Sequence, residues 1–138
     1  MNTYPINYRR SEKNIVEFSN GVKVLNTCNH DVTFQDGEKL ISVPSAYLVN
    51  AKIEEEYHSE EGSAQFVKIK YVPEEESKKF VNWFRKRNPD VLMVGSMIAA
   101  LAFPEDIVVM TPVPGYERVR DGQKRKSIEK FTTFANVG

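Results

Sequence analysis

Two short stretches of the 138-residue chain hold residue types that could do covalent chemistry. Cys28-Asn29-His30-Asp31 brings a thiol, an imidazole and a carboxylate close together in sequence. A cysteine nucleophile needs a thiolate, activated by a base that a third group orients. On one extended strand Cys28 and His30 would share a face, yet such neighbours seldom come within hydrogen-bond reach. Hydrogen bonding of His30-Asp31 to the backbone of a turn explains the same residues without catalysis. Gly95-Ser96 forms half of a nucleophile elbow, but Ile98 stands where Gly-x-Ser-x-Gly needs its second glycine. A triad would also depend on His30 or His58, so Ser96 fits better as a helix N-cap. Metal ligation fares no better. His30 and His58 lack tight ligand spacing, and Glu54, Glu55, Glu56, Glu60 and Glu61 lack the EF-hand pattern. No Gly-Lys-Ser/Thr P-loop occurs. The residues thus point to no catalytic group, no metal and no cofactor.

Anion binding is better served. Gly115 to Lys130 holds Arg118, Arg120, Lys124, Arg125, Lys126 and Lys130 against Glu117, Asp121 and Glu129. Pro112 and Pro114-Gly115 restrain its approach, which preorganises the arginines. Arginine pairs bidentately with phosphate and stacks on aromatic planes, and Tyr116 and Phe103 lie at either end of the intervening strand and loop. A solvated charged surface has the same composition, and charge alone does not separate the two.

The elements that must position these residues read as an α+β fold, mainly antiparallel and built from hairpins. Asn14–Phe18 and Val22–Asn26 flank Asn20-Gly21, and Asp31–Phe34 and Glu38–Val43 flank Asp36-Gly37; both dipeptides suit tight hairpin turns. Tyr47–Ile53 and Gln65–Val72 read as further strands around an acidic, exposed hairpin tip at 54–62. Pro73 and three glutamates open an amphipathic helix over about 74–87, closed by Arg85-Lys86-Arg87 and Asn88-Pro89, with Phe80, Val81, Trp83 and Phe84 as its buried stripe. Val91 to Phe103 carries no formal charge. It reads as a central strand turning at Gly95-Ser96 into a short buried helix over about 96–103, whose free N–H groups suit an anion. Ile107–Met110 is another strand, Lys124–Lys130 adds a helical turn, and Phe131–Phe134 is a short closing strand. Residues 1–13 read as a flexible arm, 14–134 as a single ligand-binding domain and 135–138 as a tail.

Lysine plus arginine balance aspartate plus glutamate at 19 each, so net charge alone holds neither DNA, RNA nor an anionic membrane. The single cysteine excludes an internal disulfide and suits a reducing compartment. No signal-peptide core and no stretch near the roughly 20 apolar residues of a membrane span occurs, so a soluble, intracellular protein is expected.

Gly21-Val-Lys-Val-Leu-Asn26, His30-Asp-Val-Thr-Phe-Gln-Asp-Gly-Glu38, Val94-Gly-Ser-Met-Ile-Ala-Ala100 with Ala102-Phe-Pro104, Pro114-Gly-Tyr-Glu-Arg-Val119, Lys124-Arg125 and Lys130-Phe-Thr-Thr-Phe134 occur in an order that resembles the first-described Thoeris anti-defence family of phage proteins. The likeness spans most of residues 21–134 and departs from the family pattern at Asn29 and Ala46. It implies a sponge that sequesters, without cleaving, a cyclic ADP-ribose isomer used as an immune signal, in the cytoplasm of the infected bacterial host. Some relatives also hold cyclic di- or trinucleotides. The resemblance further implies homo-dimers that can associate into hexamers, with ligand held by arginines and aromatic stacking. On matched motifs those residues are Arg118 and Arg125, with Phe103 as the stacking candidate. Charge adds Arg120 and Lys124, the helix end adds Ser96, and proximity adds Tyr116. A hydrolase that degrades the nucleotide signal and a phage structural or interaction protein are the alternatives.

Overall fold

The hairpin dipeptides make the first two chain reversals. In the computed structural model, which describes residues 6–136, Gly21 and Gly37 take φ of 87° and 62°, a region glycine enters without steric cost. Gly21 lies between β1 (Val16–Glu17) and β2 (Lys23–Asn26), and Gly37 between β3 (Val32–Asp36) and β4 (Lys39–Val43), each pair antiparallel. These strands join β7 (Val91–Gly95), β8 (Ile107–Pro112) and β9 (Lys126–Thr132) in one sheet, in the order β1-β2-β7-β8-β9-β3-β4. The class is α+β as expected, but the sheet is mixed rather than mainly antiparallel. β2 with β7, β7 with β8, and β3 with β9 run parallel. The reason lies in burial: β2 and β7 are covered on both faces, the environment in which parallel strands occur.

The sheet curls into a nearly closed barrel. Its concave side holds Phe18, Val24, Val32, Phe34, Val43 and Val94, while Leu25, Met93 and Ile107 from the same central strands face the helices. This alternation follows from the two-residue period of a strand. Side chains close the seam. The carboxamide of Asn26 is fully buried; Nδ2 donates to the Val43 and His30 carbonyls at 3.1 and 2.9 Å, and Oδ1 accepts from Cys28 N at 2.8 Å. At the opposite end of the strands, Ser19 N donates to Asp36 Oδ2 at 2.8 Å.

The helix expected near 74–87 is α2 (Glu75–Arg87), with Pro73 ending the preceding strand and Glu74 as N-cap. Phe80, Val81, Trp83 and Phe84 are buried on it as their spacing requires. Residues 1–5 of the expected arm and 137–138 of the expected tail lie outside the described residues. The rest of that arm forms a helix, α1 (Ile6–Glu12), because Tyr8 inserts into the aromatic core, edge-on to Phe80 at 5.2 Å and to Tyr47 at 5.5 Å. Glu12 then clamps α1 to the end of α2, accepting from Arg87 Nε and Nη2 at 3.0 and 3.1 Å and from Asn88 Nδ2 at 2.9 Å. The short buried helix is α3 (Met97–Ala102), capped by Ser96 Oγ, which accepts from Ala99 N at 3.1 Å.

β5 (Ala51–Glu61) and β6 (Ala64–Pro73) make a separate two-stranded arm. The acidic stretch expected as an exposed hairpin tip is exposed but mostly strand: Glu54 and Glu56 oppose Lys70 and Lys68 across the ladder, and Lys70 Nζ lies 3.3 Å from Glu56 Oε1. Pairing puts Ile53, Tyr57, Val67, Ile69 and Tyr71 on the other face, and the first four of these are exposed. Tyr47–Asn50, expected as strand, is irregular. The helical turn expected over 124–130 is instead a 3-10 turn at Asp121–Gln123 followed by β9, and the expected closing strand over 131–134 ends with β9 at Thr132.

Replacing Asn26 by leucine keeps its size and strands two buried backbone groups, the Val43 carbonyl and the Cys28 N–H. Stability is expected to fall by about 2–4 kcal/mol, read as a lower urea midpoint at unchanged slope. A change within about 0.5 kcal/mol, the range of a neutral surface substitution, would contradict the closing role given to Asn26.

Candidate functional site

β2 and β7 end, and β3 and β9 begin, at one mouth of the barrel, and there a cavity of about 800 Å³ opens. Barrel mouths commonly hold small-molecule sites. One wall is the Thr27–Asp31 loop. Its shape is imposed from beneath by Asn26 and from the side by Ser45, whose hydroxyl donates to the Cys28 carbonyl and whose N–H donates to Asp31 Oδ1 at 3.2 Å. A second wall is Leu48–Asn50, tied down by Val49 N donating to Thr27 O at 3.1 Å and Asn50 N to Ser77 Oγ at 2.8 Å. Gly95-Ser96 forms the floor, where a side chain on Gly95 would meet Thr27 Oγ1 at 2.6 Å and Ile107 Cγ2 at 2.9 Å. Only glycine lets β7 lie this close to Thr27, whose hydroxyl donates to Val94 O at 2.8 Å.

The last wall carries two lysines and the carboxylate of Asp121. Lys124 and Lys126 both line the cavity. Lys124 Nζ sits 3.0 Å from Asp121 Oδ1, so its charge is met locally. Lys126 is half-buried, and no carboxylate of the described residues lies within ion-pair distance. Burial pushes its ammonium pKa down, Lys124 adds to the shift, and Cys28 opposes it. The Cys28 thiol is pushed up by burial, against the pull of Lys126. A buried thiol with a raised pKa stays protonated and is a poor nucleophile. His30 lies in a loop rather than on a strand face with Cys28, and its Nδ1 donates to the Asp31 carbonyl at 2.8 Å. No group of three or more His, Cys, Asp or Glu among the described residues is placed to hold a metal ion.

The expected site residues divide. Ser96 and Lys124 both line the cavity. Arg125 and Tyr116 meet outside it, with the guanidinium carbon 4.1 Å from the ring centroid and Nη1 donating to Gln35 Oε1 at 3.4 Å. Arg125 Nε is buried without a partner among the described residues. Arg118 and Arg120 are exposed and do not line the cavity. Phe103 is buried in the core beneath the helices and offers no stacking face to the cavity, because the chain turns inward at the end of α3. Lys126 and Asn50 line the site without having been singled out as ligand contacts. Lysines at positions 124 and 126 would share a side in extended chain; reading that stretch as a helical turn hides the pairing.

No family model, curated protein or solved structure matches the chain. The chemistry of the cavity therefore carries the functional reading. No helix among the described residues is long and apolar enough to cross a membrane.

Native Cys28 is expected to react with iodoacetamide more slowly than the same thiol in urea-unfolded chain at pH 8.5. The deficit closes as pH rises through the raised pKa, and Lys126→Met slows the native reaction further by removing the charge that favours thiolate. Equal native and unfolded rates at pH 8.5 would contradict the burial effect.

Proposed function

We propose that the protein binds a cyclic ADP-ribose-type nucleotide in the cavity at the barrel mouth and sequesters it without cleavage. In the infected bacterial cytoplasm this withholds an immune signal from its effector. The observation that carries the reading is the cavity itself. Its volume of about 800 Å³ falls in the roughly 300–1,000 Å³ range of small-molecule sites. Its wall supplies lysine charge for phosphate, carboxamides of Asn29 and Asn50 for base or ribose, and apolar surface from Leu48, Val49 and Met110. A nanomolar sponge needs about 12 kcal/mol of binding free energy, to which charge-assisted contacts and buried apolar surface would both contribute. The motif resemblance to the Thoeris anti-defence family points to the same ligand class. A hydrolase reading lacks support from the thiol, which burial disfavours as thiolate. The Arg125–Tyr116 pair offers a separate place where a cyclic di- or trinucleotide could be held.

Self-association belongs to the same proposal. A two-stranded hairpin is at best marginal alone, and this arm exposes Ile53, Tyr57, Val67 and Ile69 on one face. α3 lies against the arm and exposes Met97, Ile98 and Leu101. A second copy presenting the same apolar face covers both in a two-fold dimer, the arrangement by which one patch satisfies itself.

Protein mixed with an equimolar cyclic ADP-ribose isomer is expected to retain it through a desalting column and release it unchanged on heat denaturation. Product formed in excess of one per site would instead establish turnover. In sedimentation velocity the native chain runs as a dimer or larger and Ile69→Asp as a monomer; identical sedimentation of the two would remove the arm from the interface.

A further inference from the structure

We infer that Lys126 is the anchor for an anionic phosphate group of the cavity's ligand, a part that the arginines of the 115–125 loop do not take. The inference rests on the sequestration reading for the identity of the full ligand, but on Lys126 and its surroundings for the anchor. Lys126 opens β9 between two strands, opposite Phe34 on β3 and Pro112 on β8. It lines the cavity with Cys28, Val32 and Met110, all part of the barrel-side core or packed on it. Its aliphatic stem thus lies on apolar surface with the ammonium at the mouth, the usual arrangement for a partly buried lysine.

Asp31 and Asp121 are the carboxylates that also line the cavity, and among the described residues neither lies within ion-pair distance of Lys126. Lys124, from the preceding turn, pairs with Asp121 at 3.0 Å. Asp31, from the β2–β3 loop, spends Oδ1 on Ser45 N at 3.2 Å. His30 donates Nδ1 to the Asp31 carbonyl, and Cys28 is held as the thiol by burial. A half-buried cation without a counter-ion is unfavourable in the empty protein. An anion entering the cavity relieves that cost, so the free energy withheld from folding appears in binding. Burial and Lys124 both depress the ammonium pKa, as expected for a cation awaiting its partner. Arg118, Arg120 and Arg125 do not line this space.

Inorganic pyrophosphate tests the anchor apart from the nucleotide. Calorimetric titration is expected to show it binding to the native chain, with the dissociation constant raised roughly tenfold to a hundredfold in Lys126→Met. Lys126→Arg retains binding, Arg118→Ala is unchanged, and the melting temperature of ligand-free Lys126→Met does not fall. Pyrophosphate also slows alkylation of Cys28 in the native chain and leaves Lys126→Met unaffected. No pyrophosphate binding to the native chain, or equal binding by Lys126→Met, would overturn the inference. The two readings separate with cyclic ADP-ribose. Equal retention by native and Lys126→Met protein removes the anchor and leaves sequestration. Pyrophosphate held through Lys126 with no cyclic ADP-ribose retained leaves the anchor and removes sequestration.

Discussion

The buried carboxamide of Asn26 holds this fold and its cavity together. An amide side chain has two donors and one carbonyl acceptor, and Asn26 spends both donors on the Val43 and His30 carbonyls and its acceptor on the Cys28 N–H. The first bond joins β2 to β4 across the seam of the barrel; the other two wrap the following loop around the side chain. A polar group at full burial stabilises only when its hydrogen bonds are all made. Here that condition fixes one closure of the sheet and one shape of the Thr27–Asp31 wall. The backbone carbonyl of Asn26 also accepts from Ala46 N at 2.9 Å, which starts the segment forming the opposite wall.

Around that point the division of labour follows strand alternation. One face of β2, β7 and β8 fills the barrel, and the other receives the aromatic cluster of α1 and α2. Both cores end at the mouth, where Cys28 and Val32 from one and Val49 from the other line the cavity beside polar loop residues. Gly95 brings β7 against Thr27 there, and β9 delivers Lys126 from the far side. A fold optimised for stability alone would pair or remove that lysine, and a half-buried cation without an ion-pair partner among the described residues is the feature on which the proposed anion site rests.

Local chemistry was legible in the residues, and distant pairing was not. Asn20-Gly21 and Asp36-Gly37 announced their hairpins because positive φ has so few suppliers. The stripe of Phe80, Val81, Trp83 and Phe84, and the Ser96 cap, were equally local. The parallel register of β2 with β7 joins segments more than sixty residues apart, as in Lys23 opposite Val91. Only the uncharged run from Val91 hinted at it, without naming partners. α1 escaped because a single inserted ring, Tyr8, anchors an otherwise polar stretch. Of the residues expected to hold ligand, Ser96 and Lys124, picked out by cap and charge, line the cavity, whereas the arginines, picked out by type, lie outside it. Lys126 became recognisable only once its strand placed it at the mouth with no carboxylate of the described residues within ion-pair distance.

The central claim is that the ligand lies inside the barrel mouth rather than on the arginine loop. A crystal structure of the protein saturated with a cyclic ADP-ribose isomer tests this most directly. Density for an intact nucleotide between Ser96 and Asn50, with a phosphate against Lys126, is the predicted result. Nucleotide seated on Arg118 and Arg120 with an empty mouth would contradict it.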